Sequence, residues 1–257
     1  MIDNIKTEEL IEIAKKAGDA ILNIYNDPEK SSVVDFKGDE SPLTLADEAS
    51  HQIITKGLQK LYPEIPIISE EGQNHEYSIR KDYSIYWLVD PLDGTKEFIN
   101  RNGQFTVNIA LIVNKRSVAG FIYTPVSDDL YYGIEGIGAY KINGGEKKEL
   151  KVNNKHSNRI AVRSKSHASK EEEGVLSKYN VVDSISVGSS LKFCMVAEGK
   201  ADIYYRHGPT MEWDIAAGQA VVNAAGGKVY IGTGDREFTF NKEELLNGSF
   251  LCLGFNA

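Results

Sequence analysis

The residues with the clearest capacity for chemistry are Asp90-Pro91-Leu92-Asp93-Gly94-Thr95, which follow an aromatic and β-branched run, Tyr83–Val89, that reads as a buried strand. Pro91 biases Asp90 toward extended backbone, and Gly94 permits a turn that other residues resist. Two carboxylates three positions apart can then converge on one point beyond the strand end, with a main-chain carbonyl such as that of Leu92 between them. That is an oxygen set for a hard cation such as Mg²⁺, whereas zinc would usually bring His or Cys. The bland alternative is a plain turn, because Asp, Pro and Gly all favour turns. Glu70-Glu71 follows the apolar segment Ile65–Ile68 in the same way, as a strand-end pair or a solvated loop. Asp214 stands at the start of a helix expected over Ile215–Ala225, where an N-terminal carboxylate is ordinary. Asp47 lies in the first turn of a second helix, three residues after Thr44. If these groups meet, several ionised carboxylates share a small volume, and their repulsion raises their pKa values or demands cations.

Elements must carry these residues to one place. Apolar spacing predicts a helix over Thr7–Tyr25, with Thr7 as N-cap and Asn26-Asp27-Pro28 as its stop. A polar stretch, Lys30–Ser41, leads to an amphipathic helix over Leu45–Leu61. Gln73–Asp82 reads as a solvated linker. Phe105–Val113, Ser117–Tyr123, Leu130–Ile134 and Ala139–Ile142 read as strands of one sheet, with Asn143-Gly144-Gly145 a hairpin signal. The second half alternates: strands at Arg159–Arg163, Ser184–Val187, Asp202–Tyr205, Val229–Ile231 and Phe250–Leu253, and helices at Ser169–Lys178, Leu191–Ala197 and Ile215–Ala225. The change of pattern near Lys151 suggests two packed subdomains, residues 1–151 and 152–257. Gly133-Ile-Glu-Gly-Ile-Gly138 is followed by a strand and a hairpin instead of a helix, so it fails as a phosphate loop and reads as turn glycines.

Composition limits the function classes. The chain has 257 residues, 37 acidic against 29 basic side chains, and a net charge of −8. That balance argues against a dominant nucleic-acid surface. No apolar run approaches the roughly 20 residues of a membrane span, and the first residues lack a signal-peptide core. Cys194 and Cys252 are too few for a disulfide framework or a structural zinc site and read as core. His51, His75 and His156 show no metal spacing. The expectation is a cytoplasmic protein, with contact at the inner face of the cell membrane left open.

The string Trp87-Leu-Val-Asp-Pro-Leu-Asp-Gly-Thr-Lys-Glu-Phe-Ile-Asn100, with Trp213-Asp-Ile-Ala-Ala-Gly218, resembles the inositol monophosphatase superfamily of Mg²⁺-dependent phosphatases. Lys37-Gly-Asp-Glu-Ser-Pro-Leu-Thr-Leu-Ala-Asp47 and Ile68-Ser-Glu-Glu71 match the two motifs expected before the central one. Arg101-Asn102-Gly103, Gly188-Ser-Ser-Leu-Lys-Phe-Cys194 and Gly208-Pro-Thr210 are similar to the bacterial 3′(2′),5′-bisphosphate nucleotidase branch. The resemblance implies a mixed α/β fold layered αβαβα, as in inositol monophosphatase and fructose-1,6-bisphosphatase. It implies Glu70, Asp90, the Leu92 carbonyl, Asp93 and Asp214 as ligands of two or three Mg²⁺ ions, and Asp47 with Thr95 as the pair that orients and deprotonates the attacking water. It implies substrate contacts at Glu70, Leu92, Asp93, Gly94, Thr95, Ser164, His167, Gly188, Lys192 and Asp214, with Lys192 on a second phosphate and His167 stacked on adenine. Both have plainer readings, a solvated lysine and a loop residue, and Arg206 is either a further phosphate partner or a surface residue. The implied reaction is hydrolysis of the 3′-phosphate of adenosine 3′,5′-bisphosphate, the small-molecule partner expected here. The rivals are inositol monophosphate or another sugar phosphate, and a non-catalytic sensor on the same fold.

Overall fold

The computed structural model describes residues 5–36, 42–73, 75–164 and 170–255. Apolar residues at helical spacing give the helices Thr7–Tyr25 and Leu45–Leu61, which pack on each other and on one face of a seven-stranded sheet. In spatial order its strands are Ile67–Ser69, Ile85–Asp93, Thr106–Val113, Arg116–Thr124, Asp129–Ile134, Gly138–Asn143 and Glu146–Leu150. The first pair is parallel and the rest are antiparallel. Side chains alternate across the sheet: Trp87 and Val89 face the outer helices, while Tyr86 and Leu88 face the opposite core. Burial on both faces explains why these strands read as nearly unbroken apolar runs.

That opposite core holds the helices Leu191–Ala197 and Glu212–Ala224. Beyond them lies a five-stranded sheet in the order Val181–Ser186, Arg159–Arg163, Ile203–Arg206, Phe250–Leu253, Lys228–Ile231, and beyond that the helix Lys170–Leu176. The layers are therefore αβαβα, as the resemblance implied. The helix Glu212–Ala224 sits very close to the first sheet because the sheet offers glycines. A Cβ on Gly120 would lie 2.3 Å from the Ala217 carbonyl oxygen, and one on Gly133 would lie 2.6 Å from Val221 Cα.

Several elements differ from the sequence reading. Thr7 is the first helical residue and not the cap; the capping position is Lys6, which makes no side-chain cap bond. Asp27 caps a further turn, Pro28–Ser31, because proline suits a first helical position. The polar stretch after it contains the strand Val34–Phe36, paired with Pro42–Thr44. The strand expected at Ile65–Ile68 is Ile67–Ser69, since Pro66 has no N–H to give to a ladder. The expected linker holds the helical turn Tyr77–Arg80 and buries Arg80, which its polar composition hid. The strand expected to stop at Val89 continues to Asp93, with its pairing shifted between Asp90 and Asp93. The helix expected over Ser169–Lys178 is Lys170–Leu176 followed by the 3₁₀ turn Ser177–Tyr179, and Ser169 lies outside the described residues. The hairpin glycines Gly144 and Gly145 have φ of +55° and +84°, the two positive angles that turn requires.

Candidate active site

The bulge between Asp90 and Asp93 gathers the acidic residues. A bulge bends its strand and re-aims side chains, and here the Leu92 N–H donates to Asp90 Oδ1 at 3.0 Å, closing the turn on the carboxylate. Gly94, at φ +94°, begins the short helix Thr95–Ile99. Glu70 follows directly on the parallel strand Ile67–Ser69, its N–H held by the Val89 carbonyl at 3.1 Å. Asp214 arrives from the other half, in the first turn of Glu212–Ala224. One carboxylate oxygen each from Glu70, Asp90 and Asp214 lie within 4.8 Å of one another.

Asp90 is 1% exposed. Burial, then the charges of Glu70, Asp93, Asp214 and Asp47, hold its carboxyl well above the usual range. Asp214 is raised likewise, by burial and then by Asp93 and Glu70. Such a cluster is stable at neutral pH only with protons or cations in it. The donors are all oxygen, with no imidazole or thiol among them, so the set fits a hard divalent cation.

Asp47 does two things at once. Its Oδ2 accepts from the Thr44 N–H at 2.8 Å and the Thr44 hydroxyl at 2.6 Å, completing a capping box. Its Oδ1 accepts from Thr95 Oγ1 at 3.2 Å. The structural and the chemical readings of this residue therefore coexist, one on each oxygen. Asp214 shows the same division: Oδ2 accepts from the Met211 N–H at 2.8 Å, which leaves Oδ1 for other partners.

Asp93 is held by groups that the sequence reading missed. Ser190 Oγ donates to Asp93 Oδ2 at 2.7 Å, and Asn108 Nδ2 donates to Ser190 Oγ at 2.9 Å. The signal for Asn108 was a lone amide inside an otherwise apolar strand, where a buried polar group needs a partner. His51, assigned no role, shares a 2.9 Å hydrogen bond with Ser69 beside Glu70.

A cleft of about 170 Å³ opens next to the cluster, lined in part by Asp93, Asp214, Ser164, Gly188, Lys192 and Arg206. Gly188 donates its N–H to Gln104 Oε1 at 2.9 Å, and a Cβ there would lie 2.7 Å from Glu97 Cγ. Lys192 is not a solvated lysine: it is 7% exposed, with Nζ donating to the Ser189 carbonyl at 2.7 Å. Burial brings its pKa down to about 8, against the opposing pull of the Asp93 charge. Ser189 Oγ and Arg206 Nε are buried without a hydrogen-bond partner among the described residues. His167 lies outside the described residues.

The site is an acidic, oxygen-only cluster able to hold a divalent cation, set at strand ends between the two sheets of an αβαβα sandwich. The chain belongs to the inositol monophosphatase family, whose model matches residues 5–252. It is 44% identical over 243 residues to the 3′(2′),5′-bisphosphate nucleotidase CysQ of Salmonella typhimurium, covering 95% of this chain and 97% of that protein. The Escherichia coli K12 protein of the same name is 43% identical over the same shares. The crystal structure of CysQ from Bacteroides thetaiotaomicron superposes with a TM-score of 0.86 at 42% identity, over 99% of both chains. A Thermotoga maritima IMPase shares the fold, with a TM-score of 0.77 at 23% identity over 95% of this chain and 90% of that one.

Proposed function

We propose that this protein is a Mg²⁺-dependent 3′(2′),5′-bisphosphate nucleotidase, a phosphoric monoester hydrolase that converts 3′-phosphoadenosine 5′-phosphate to AMP and phosphate. Such an enzyme clears a by-product of sulfate activation in the cytoplasm. The observation that carries the substrate choice is the cleft beside the acidic cluster, where Lys192 and the unpartnered Arg206 Nε present positive charge. A neutral polyol needs no such charge, whereas a second phosphate does.

Glu70, Asp90, the Leu92 carbonyl, Asp93 and Asp214 would hold two or three Mg²⁺ ions. When bound, these supply charge neutralisation at the ester oxygens and the leaving group. Thr95 Oγ1 accepts a hydrogen bond from the attacking water and donates its own hydrogen to Asp47 Oδ1. As the new O–P bond forms and the ester P–O3′ bond breaks, the water proton passes to Thr95 and the Thr95 proton to Asp47, and the departing 3′ oxygen takes a proton from solvent to leave as the hydroxyl. The main-chain N–H groups of Gly94 and Thr95 orient the phosphoryl oxygens. In this reading Ser164, His167 and Gly188 contact the nucleoside, and Lys192 with Arg206 takes the second phosphate. The chain divides near residue 151: residues 1–151 carry most of the metal ligands, and 152–257 bring Asp214 and the nucleotide pocket.

The test is phosphate release from 3′-phosphoadenosine 5′-phosphate and from inositol 1-phosphate, side by side, with Mg²⁺ and with chelator. The expected result is Mg²⁺-dependent turnover that strongly prefers the nucleotide. Preference for inositol phosphate would leave the metal site standing and remove the nucleotide pocket. Turnover of neither would favour a different phosphomonoester or a non-catalytic sensor.

A further inference from the structure

A buried polar network behind the site takes no part in the chemistry above. Arg80, 4% exposed, donates through Nη1 to Asn241 Oδ1 at 2.9 Å and to the Lys242 carbonyl at 2.6 Å, and through Nη2 to the Glu243 carbonyl. Asn241 Nδ2 returns a bond to the Arg80 carbonyl at 2.6 Å. On the other side of the same loop stands Glu212, 0% exposed. It accepts from the Asn241 N–H at 2.7 Å, the Lys242 N–H at 3.0 Å and Lys242 Nζ at 2.5 Å. Lys242 Nζ also donates to Asn247 Oδ1 at 2.8 Å, and Asn247 Nδ2 donates to Thr210 Oγ1 at 3.3 Å.

The start of the loop, Asn241 to Glu243, is thus fastened from two sides, while Asn247 ties its far end to Thr210. One fastening is Arg80, just upstream of the strand Ile85–Asp93 that carries Asp90 and Asp93. The other is Glu212, two residues before Asp214. An ion pair with a buried carboxylate, such as Lys242–Glu212, adds little to stability over apolar packing of the same volume, so stability alone is a poor account of the network. What it supplies is register, because a guanidinium fork and a carboxylate with three donors each fit one placement of the loop.

We infer that Arg80, Asn241, Glu212 and Lys242 act as a positioning clamp that sets where Asp214 stands relative to Asp90 and Asp93, and so sets the affinity for the divalent cation. The inference rests on reading the acidic cluster as a cation site. Groups that orient metal ligands from behind are typically worth about 10- to 100-fold in metal affinity.

The test is calorimetric titration of Mg²⁺ into substrate-free protein, for wild type, Arg80→Met, Asn241→Gly and the remote core variant Ile21→Val. Asn241 has φ +66°, so glycine keeps the backbone and removes only the side-chain bonds to Arg80. That variant carries the test if Arg80→Met does not fold. The expected result is a Mg²⁺ dissociation constant raised about 10- to 100-fold in the clamp variants and unchanged in Ile21→Val. In turnover, kcat should recover at high Mg²⁺ while KM for the nucleotide stays put. Wild-type Mg²⁺ affinity in the clamp variants, or an equal loss in Ile21→Val, would overturn the clamp and leave the proposed function intact. A wild-type protein that takes up no Mg²⁺ would overturn the cation reading itself.

Discussion

Asp47 uses one oxygen to cap its helix and the other to receive the Thr95 hydrogen, so the two jobs can be separated by substitution. Asp47→Asn keeps an acceptor but loses the base. Turnover should fall about 10²- to 10⁴-fold, with Mg²⁺ uptake retained, which paired kinetic and calorimetric measurements check. Lys192→Ala should raise KM for the bisphosphate nucleotide about tenfold or more, the scale of a lost charge-assisted hydrogen bond, and barely change KM for inositol 1-phosphate. Lys192 also has a pH signature. Its folded pKa, about 8, lies below the ordinary 10.5, so the unfolded chain binds more protons between those values. Its contribution to stability therefore rises as pH climbs through that window, while nucleotide binding weakens as the charge is lost. KM for the nucleotide and the denaturant midpoint should therefore both rise from pH 7 to 10. At this scale the Asp90–Asp93 pair was a candidate from local spacing, and its meeting with Glu70, Asp214 and Asp47 was legible only through the family resemblance. The Ser190–Asn108 support of Asp93 was not legible, because it joins residues 82 apart, and the solvated reading of Lys192 failed because only the assembled cleft buries it.

The helix Glu212–Ala224 brings Asp214 to the site by lying on glycines of the sheet. Gly120→Ala would drive a methyl group into the Ala217 carbonyl. Overpacking of this kind costs about 1–3 kcal/mol, and relief comes by lifting the helix and Asp214 with it. A lowered urea midpoint together with a weakened Mg²⁺ isotherm is the expected pair of results. Most elements were readable from periodicity, and the helices Leu45–Leu61 and Leu191–Ala197 fall where spacing put them. Two departures arise where a local rule met a distant partner. The strand runs past Asp90 because Thr106 and Asn108 pair with its far end, and the turn Tyr77–Arg80 is stabilised by Asn241, 161 residues away from Arg80.

For the molecule as a whole, the buried acidic cluster links folding to pH and to cations. Asp90 and Asp214 have folded pKa values raised above 3.8. The native state then binds more protons than the unfolded one above that value, so their contribution to stability is present at low pH and is lost as pH rises through the folded values. A divalent cation held by the cluster would replace those protons. Added Mg²⁺ should raise Tm more at pH 8 than at pH 5, and a chelator should reverse it, as scanning calorimetry will show. Helices before a run of antiparallel strands, with an alternating half after it, made two packed subdomains legible, and the αβαβα layering followed from the family resemblance alone. Which helices enter the central layer was not legible, because that depends on small residues matching across two sheets.

That central layer also governs the protein's birth. The inner face of the first sheet, with Tyr86, Leu88, Ile112, Ile122 and Tyr131, is covered by helices that lie after residue 190. At synthesis rates of about 5–20 residues per second, the 74 residues that follow Leu150 up to Ala224 take roughly 4–15 s. Through that interval the nascent chain carries a finished sheet with one bare apolar side. A chain truncated near residue 151 should therefore be captured by chaperones or aggregate, and it should never assemble a cation site.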